Sequence, residues 1–212
     1  MSIKLKHSGG NSVSLNPPTS APTSSEVAFK LPTSDASSGQ VLTTDGSGIL
    51  SWVTLPTAGI SMAETWRLTS NITNGGSEAV ITANLSKQAN PSGYGKVGTE
   101  TMTESSGVFT FPSTGIYYIT ANSMHYSLGS GTESNGSSIL INTTTDNSSY
   151  SRASYGAQAV PTTVDYGSAS CHYIFDVTNV STHKVRFSHE GTSGSIVAGS
   201  ANDSQTHFLF MN

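Results

Sequence analysis

From residue 61 onward the sequence is cut into short stretches in which apolar and small hydroxyl residues alternate, each stopped by glycine, proline or asparagine. Alternation at period two gives a strand one face for a core and one for solvent. Such stretches fall near residues 65–70, 79–85, 107–111, 115–124, 138–143, 168–177, 184–189 and 207–211. Between them lie Asn74-Gly75-Gly76, Pro91, Gly93, residues 129–136, Pro161, Gly191 and Gly194. Short strands at this spacing predict an all-β fold, an antiparallel sandwich or jelly roll. Composition points the same way: 38 Ser and 27 Thr make about three residues in ten, and only 10% are charged, far from the bias of helical proteins. One signal competes, because Ser61 and Glu64 ahead of Trp66 and Leu68 have the spacing of a helix capping box. The alternation through Thr65, Trp66, Arg67, Leu68 and Thr69 favours a strand there.

Charge removes several classes of function. Nine Lys and Arg against thirteen Asp and Glu give a net charge of −4, with no basic run to meet nucleic acid or an anionic membrane. No stretch approaches the ~20 apolar residues of a membrane helix, and residues 1–25 lack the apolar core of a signal peptide. The expectation is a soluble chain outside the secretory route. The single cysteine, Cys171, has no partner for an internal disulfide or a zinc pair. Stability is therefore expected from packing and assembly, with no cofactor and no metal.

Shifts in composition near residues 25 and 60 divide the chain into three parts. Residues 1–25 place Ile3 and Leu5, then Val13 and Leu15, on either side of a Gly9-Gly10 break, followed by Pro17, Pro18 and Pro22. This reads as an extended attachment arm, anchored through those four apolar residues and ordered by a partner or sister chain. Residues 26–60 pair short apolar runs around Asp45-Gly46-Ser47-Gly48, a hairpin turn signal. A hairpin of this size is marginal alone, so Phe29, Leu42, Leu50 and Trp52 need cover. Three copies wound round one axis would supply it, making this segment a β-rich trimeric stem. Residues 61–212 are long enough for one sandwich-sized core.

Within that last part, Gly107-x-Phe109-Thr110-x-Pro112-x-x-Gly115-x-Tyr117-Tyr118 resembles the strand-turn-strand signature of the globular head of complement component 1, q subcomponent, and of the tumour-necrosis-factor-like jelly roll. Trp66-Arg67-Leu68, Gly93-Tyr94-Gly95 and the closing Thr206-His207-Phe208-Leu209-Phe210 extend the similarity over residues 62–212. The resemblance implies a ten-stranded antiparallel sandwich that trimerises about a three-fold axis, burying apolar and aromatic surface at its centre. Tyr117, Tyr118, Phe208 and Phe210 are the residues expected to supply that surface. The collagen stem, secretory signal and cysteine framework of the animal proteins have no counterpart here.

A second resemblance accounts for that departure. The opening MSIKLKHSGG and residues 29–52, FKLPTSDASSGQVLTTDGSGILSW, are similar to attachment and stem segments of tail-fibre and other virion proteins of marine bacteriophages, especially those of cyanobacteria. The two resemblances together imply a fibre-like homotrimer of the virion, made in the host bacterial cytoplasm, with an N-terminal anchor, a stem and a C-terminal knob. Its partners would be other virion proteins bound through the arm, in capsid, head-tail junction or tail, and a host cell-surface glycan or protein.

Chemistry is sparse. His183 and His189 share a parity too far apart to hold one ion within a chain, which leaves a site on a three-fold axis as the open alternative. Cys171 and His172 are adjacent and so point to opposite faces of a strand. The catalytic motifs of metalloproteases, serine hydrolases and phosphate-binding loops are missing from the sequence. Glycan cleavage would need two facing carboxylates, and Asp165, Asp176, Glu133 and Glu190 are scattered. No catalytic residue is nominated, and the expectation is a non-enzyme; a knob that cleaves polysaccharide is the alternative. Residues 127–137 and 145–167 read as long loops, the second carrying Tyr150, Arg152, Tyr155 and Tyr166, a composition suited to receptor binding. Two readings of these loops stand: they contact a host surface, or they cover the sandwich end and sister subunits. Two roles likewise share the architecture, a short tail fibre that adheres to the host and a capsid decoration protein.

Overall fold

The computed structural model describes residues 3–16, 18–23, 26–55, 59–88, 96–127, 135–160 and 166–212, and every regular element among them is a strand. The chain forms two compact units, residues 1–58 and 59–212.

In the first unit, β1 (Ile3–Lys6) and β2 (Ser12–Leu15) pair antiparallel, with Ile3 opposite Leu15 and Leu5 opposite Val13. The Gly9-Gly10 break, expected to divide an extended arm, is a hairpin turn: Gly10 N donates to His7 O and His7 N to Asn11 O. Strands β3 (Gln40–Thr44) and β4 (Leu50–Thr54) form a second hairpin. Its turn is held by Asp45, whose Oδ1 accepts from the N–H groups of Ser47 and Ile49. Leu42 lies opposite Trp52, whose Nε1 donates to Ser34 O at 2.8 Å. Phe29 and Leu42 remain 62% and 45% exposed and Leu50 and Trp52 half-buried, so this unit leaves the expected stem residues without a core of their own.

The second unit holds β5 (Ala63–Leu68), β6 (Ile72–Thr73), β7 (Ala79–Val80), β8 (Leu85–Lys87), β9 (Thr103–Ser105) and β10 (Val108–Thr110). It continues with β11 (Gly115–Tyr126), β12 (Asn135–Thr144), β13 (Ser151–Val160) and β14 (Tyr166–Val177). The last three are β15 (Lys184–Gly191), β16 (Ile196–Val197) and β17 (His207–Met211). One sheet runs β14-β11-β17-β5-β8, with β16 and β6 extending it beside the end of β11. The other runs β13-β12-β15-β10-β9, with β7 beside β15. All the named pairings are antiparallel, and the two sheets make an all-β sandwich.

The core forms where inward side chains of the two sheets meet. Phe109 is its hub, with ring centroids 5.2 Å from Trp66, 5.4 Å from Phe187 and 5.1 Å from Phe210. Phe187 stacks on Phe208 at 3.9 Å, and Phe111 packs on Tyr117 at 4.6 Å. The turn that presents Phe109 depends on Gly107, at φ +84°, where a Cβ would lie 2.3 Å from the Ile81 carbonyl oxygen. Glu104 Oε1 accepts from Gly107 N at 2.6 Å and closes this β9-β10 turn.

The capping-box spacing at Ser61 and Glu64 does not start a helix. Glu64 is buried in β5, and its Oε2 accepts from Thr101 Oγ1 at 2.5 Å and Met102 N at 3.2 Å. Its Oε1 pairs with Lys87 Nζ at 3.2 Å. The carboxylate thus ties the segment before β9 to the first strand of the sandwich, a tertiary use that local spacing does not encode. A second correction concerns residues 145–167, read as a loop. Residues 151–160 are a ten-residue strand paired with β12. Its small side chains suit an edge where the sheets converge, since a Cβ on Gly156 would lie 2.0 Å from the Ser170 carbonyl oxygen. Most of the 127–137 segment lies outside the described residues.

Phe109→Ala should cost about 3–5 kcal/mol of unfolding free energy, the range for a fully buried aromatic, measured as a shift in urea midpoint at unchanged slope. A loss under 1 kcal/mol would contradict its place at the hub.

Candidate assembly face

Parity along β11 decides which side chains the sandwich keeps. Tyr117, Ile119, Ala121, Ser123 and His125 point inward and are buried, while Ile116, Tyr118, Thr120, Asn122, Met124 and Tyr126 point outward. The unbroken register with β14 carries this parity across the sheet: Tyr118 lies opposite Ile174 and Thr120 opposite His172. On the other edge Tyr118 lies opposite Met211 and Thr120 opposite Leu209.

One end of the outer face is therefore an apolar cluster of Ile116, Tyr118, Ile174, Leu209 and Met211. Ile116 is 56% and Ile174 63% exposed. Along the outward positions of β5, β11, β14 and β17, Asp176 and the buried Arg67 are the charged residues. Large aliphatics on the outer face of a paired sheet, with so little charge, make a surface suited to burial against protein.

Three of the four residues expected at a subunit interface are elsewhere. Tyr117, Phe208 and Phe210 are fully buried in the chain's own core, and Tyr118 alone faces outward. The sandwich consumes the largest rings because two sheets need bulky side chains to fill the space between them. Ile116, Ile174, Leu209 and Met211 were not singled out as outward-facing residues, although strict alternation with Tyr117 and Phe210 would have found them.

The expected receptor loop is also redistributed. Arg152 and Tyr155 lie on β13, with the guanidinium 5.2 Å from the ring. Arg152 Nη2 donates to Glu78 Oε2 at 2.8 Å and sits 3.9 Å from Glu190 Oε2. Burial opposes ionisation of Glu78, but hydrogen bonds from Arg152, Asn142 and Ser188 outweigh it and hold the carboxyl below its ordinary value. Tyr150 stacks on Arg186 at 4.0 Å. Tyr166 opens β14 on the other sheet, against Tyr126. The four residues thus do not form one loop surface, and Arg152 is engaged in holding β13 to its neighbours.

His183 and His189 pack within the fold. His183 precedes β15 and stacks on Phe175 at 5.5 Å. His189 is buried, its Nδ1 paired with Asn74 Oδ1 at 2.5 Å. Among the described residues no three His, Cys, Asp or Glu side chains gather to hold a metal. The Cys171 thiol is buried, which pushes it up to about 11, while His172 faces outward. Asp165 and Glu133 lie outside the described residues.

His125 is the most perturbed interior base. It is fully buried, with Nε2 2.7 Å from Ser123 Oγ, and burial with the nearby His189 lowers it from 6.5 to about 4. The folded state holds it neutral while the unfolded chain takes up a proton below pH 6.5. Stability is thus lost as pH falls from 6.5 to 4, by about 1.4 kcal/mol per unit and roughly 3 kcal/mol in all. His189, lowered by burial, acts in the same direction. Urea titrations across this window should show that slope, and His125→Leu should remove about one proton from it; an unchanged slope in the variant would contradict the assignment.

No family model matches the chain, and no curated protein matches it. Among solved structures, the chain is similar to the crystal structure of murine APRIL at pH 5.0, with a TM-score of 0.50 at 8% identity over 71% of this chain and 98% of that one. It is also similar to Eiger TNF from S. frugiperda, with a TM-score of 0.47 at 10% identity over 71% of this chain and 91% of that one. The first likeness establishes the fold: an all-β, tumour-necrosis-factor-like jelly roll.

Proposed function

We propose that this chain is a non-enzymatic structural protein of a bacteriophage virion, a homotrimer that is anchored by its N-terminus and presents the jelly roll as a knob. The observation that carries the reading is the outer face of β14-β11-β17-β5. A monomer would leave Ile116 and Ile174 more than half exposed beside Tyr118, Leu209 and Met211. Three copies packed on this face would bury it, as trimers of the tumour-necrosis-factor-like class bury apolar surface at their centre. Such a contact needs about 800 Å² from each partner, an area that four adjacent strands can provide.

The virion setting is supported by the similarity of residues 1–10 and 29–52 to phage attachment and stem segments. The β1-β2 hairpin has open edges and a Leu5 that is 64% exposed, features suited to strand addition on another virion protein. The stem hairpin likewise leaves Phe29 and Leu42 for sister chains to cover. Made in the host cytoplasm, the protein would serve on the particle as a short tail fibre or a capsid decoration.

Light scattering on the full-length protein should give about 66 kDa, three chains of 22.0 kDa. Ile174→Asp should return it to one chain with its far-UV spectrum preserved, because a carboxylate buried at a subunit contact costs several kcal/mol. A monomeric native protein would overturn the assembly, and an Ile174→Asp variant that remains trimeric would overturn its placement on this face and assign it to the stem hairpin. Peptides of the chain should be recovered from gradient-purified particles, and their absence there would overturn the virion role.

A further inference from the structure

At the end of the outer face away from the apolar cluster, the last residue of β11 meets the first of β14. Tyr126 and Tyr166 lie opposite each other, with ring centroids 5.4 Å apart and planes at 49°. Eight residues separate Tyr118 from Tyr126, about 27 Å along the strand, so packing through Ile116, Tyr118 and Ile174 leaves this end open. The two rings line a cleft of about 320 Å³ together with Asn71, Met124, Ser200 and Gln205. That volume lies at the lower end of the range for small-molecule sites, about 300–1,000 Å³.

The cleft is built on a fixed frame. Asn71 Nδ2 donates to the Tyr126 hydroxyl at 2.8 Å, and Asn71 Oδ1 accepts from Gly199 N at 3.0 Å. This amide orients one phenol and ties the segment after β16 to the segment before β6. Ala198 N donates to Met124 O at 2.8 Å and closes the wall along β11. The Tyr126 oxygen accepts from Asn71, which leaves its own proton available to donate. The Gln205 amide and the Tyr166 hydroxyl take no hydrogen bond among the described residues, and Tyr166 is 64% exposed. A site held in place before its ligand arrives loses little entropy on binding.

The lining carries no charge. Asp203, which accepts from Ser200 Oγ at 3.4 Å, stands outside it. An ionic ligand would find no counter-ion, whereas a neutral one with hydroxyls would find an amide and two phenols. The rings, inclined at 49°, form an open V and not a parallel slot, so they suit a puckered ring laid on Tyr166 better than a flat aromatic held between two faces. A pyranose has that combination: an axial C–H face for a tyrosine ring, and equatorial hydroxyls for Gln205 and Tyr126. We infer that this cleft binds a neutral saccharide, with Tyr166 as platform and Gln205 and Tyr126 as hydrogen-bonding partners. The inference deepens the adhesin reading and rests on it for the source of the ligand, though not for its chemistry.

Saturation-transfer NMR on the full-length protein, with glucose, galactose and N-acetylglucosamine at millimolar concentration, reads this directly. Transfer should reach the ring C–H protons of at least one of them. Tyr166→Ala and Gln205→Ala, both at surface positions, should each weaken binding about five-fold or more, as for truncation of a central contact residue. A parallel arm with maltohexaose and chitohexaose separates sources: tighter binding of the oligomer assigns the cleft to a polymer chain, and equal binding to a single sugar residue. No transfer from any of these sugars, or equal transfer in Tyr166→Ala, would overturn the inference. Solution mass measured on the same samples keeps the two readings apart. A trimer without sugar binding sinks the cleft alone, and a monomer that binds sugar sinks the assembly alone.

Discussion

Strict alternation along β11 is the constraint from which the rest of the sandwich follows. This strand pairs over all twelve residues with β14, without a bulge, and on its other edge with β17. A slip of one residue would turn Tyr117, Ile119 and His125 to solvent and bring Ile116, Tyr118 and Asn122 inside. The inward set has no tolerance for that, because Tyr117 packs on Phe111 and Ile119 lies opposite Phe210, itself against Phe109. With that register locked, the outer face is fixed as well. Its apolar end and its tyrosine cleft are two ends of one surface about ten residues long.

The fold was legible wherever strands carry large side chains. Phe109, Phe111, Tyr117, Phe187, Phe208 and Phe210 all mark strands or the corners between them, whereas Gly107, read as the start of a strand, lies in the turn between β9 and β10. Strand β13 was not legible, because residues 151–160 read Ser-Arg-Ala-Ser-Tyr-Gly-Ala-Gln-Ala-Val, a composition shared with loops. What makes it a strand is β12 beside it and the close approach of Ser170, neither of which is local. The direction of the aromatic side chains was misjudged for a related reason. A Tyr-Tyr pair does not say which ring goes in, and paired phenylalanines near a chain end look like an assembly surface until the second sheet claims them.

The two units solve the same problem by different means. Residues 59–212 bury their aromatics between two sheets and hold polar groups such as Glu64 and Asn74 with local partners. Residues 1–58 have hairpins and well-formed turns but leave Val27, Phe29, Leu31 and Leu55 more than half exposed. In the proposed trimer, sister chains would cover these residues.

The central claim is that the apolar end of the outer face of β14-β11-β17-β5, around Ile116, Tyr118 and Ile174, is covered in the native protein. Hydroxyl-radical footprinting of the full-length protein tests it without any substitution, because single-chain exposure is already high at Ile116 and Ile174. The account predicts that both are oxidised as slowly as buried Ile119, relative to the unfolded chain, while Tyr155 on the opposite sheet reacts freely. Ile116 and Ile174 oxidised at their unfolded rates, with Ile119 still protected, would contradict it.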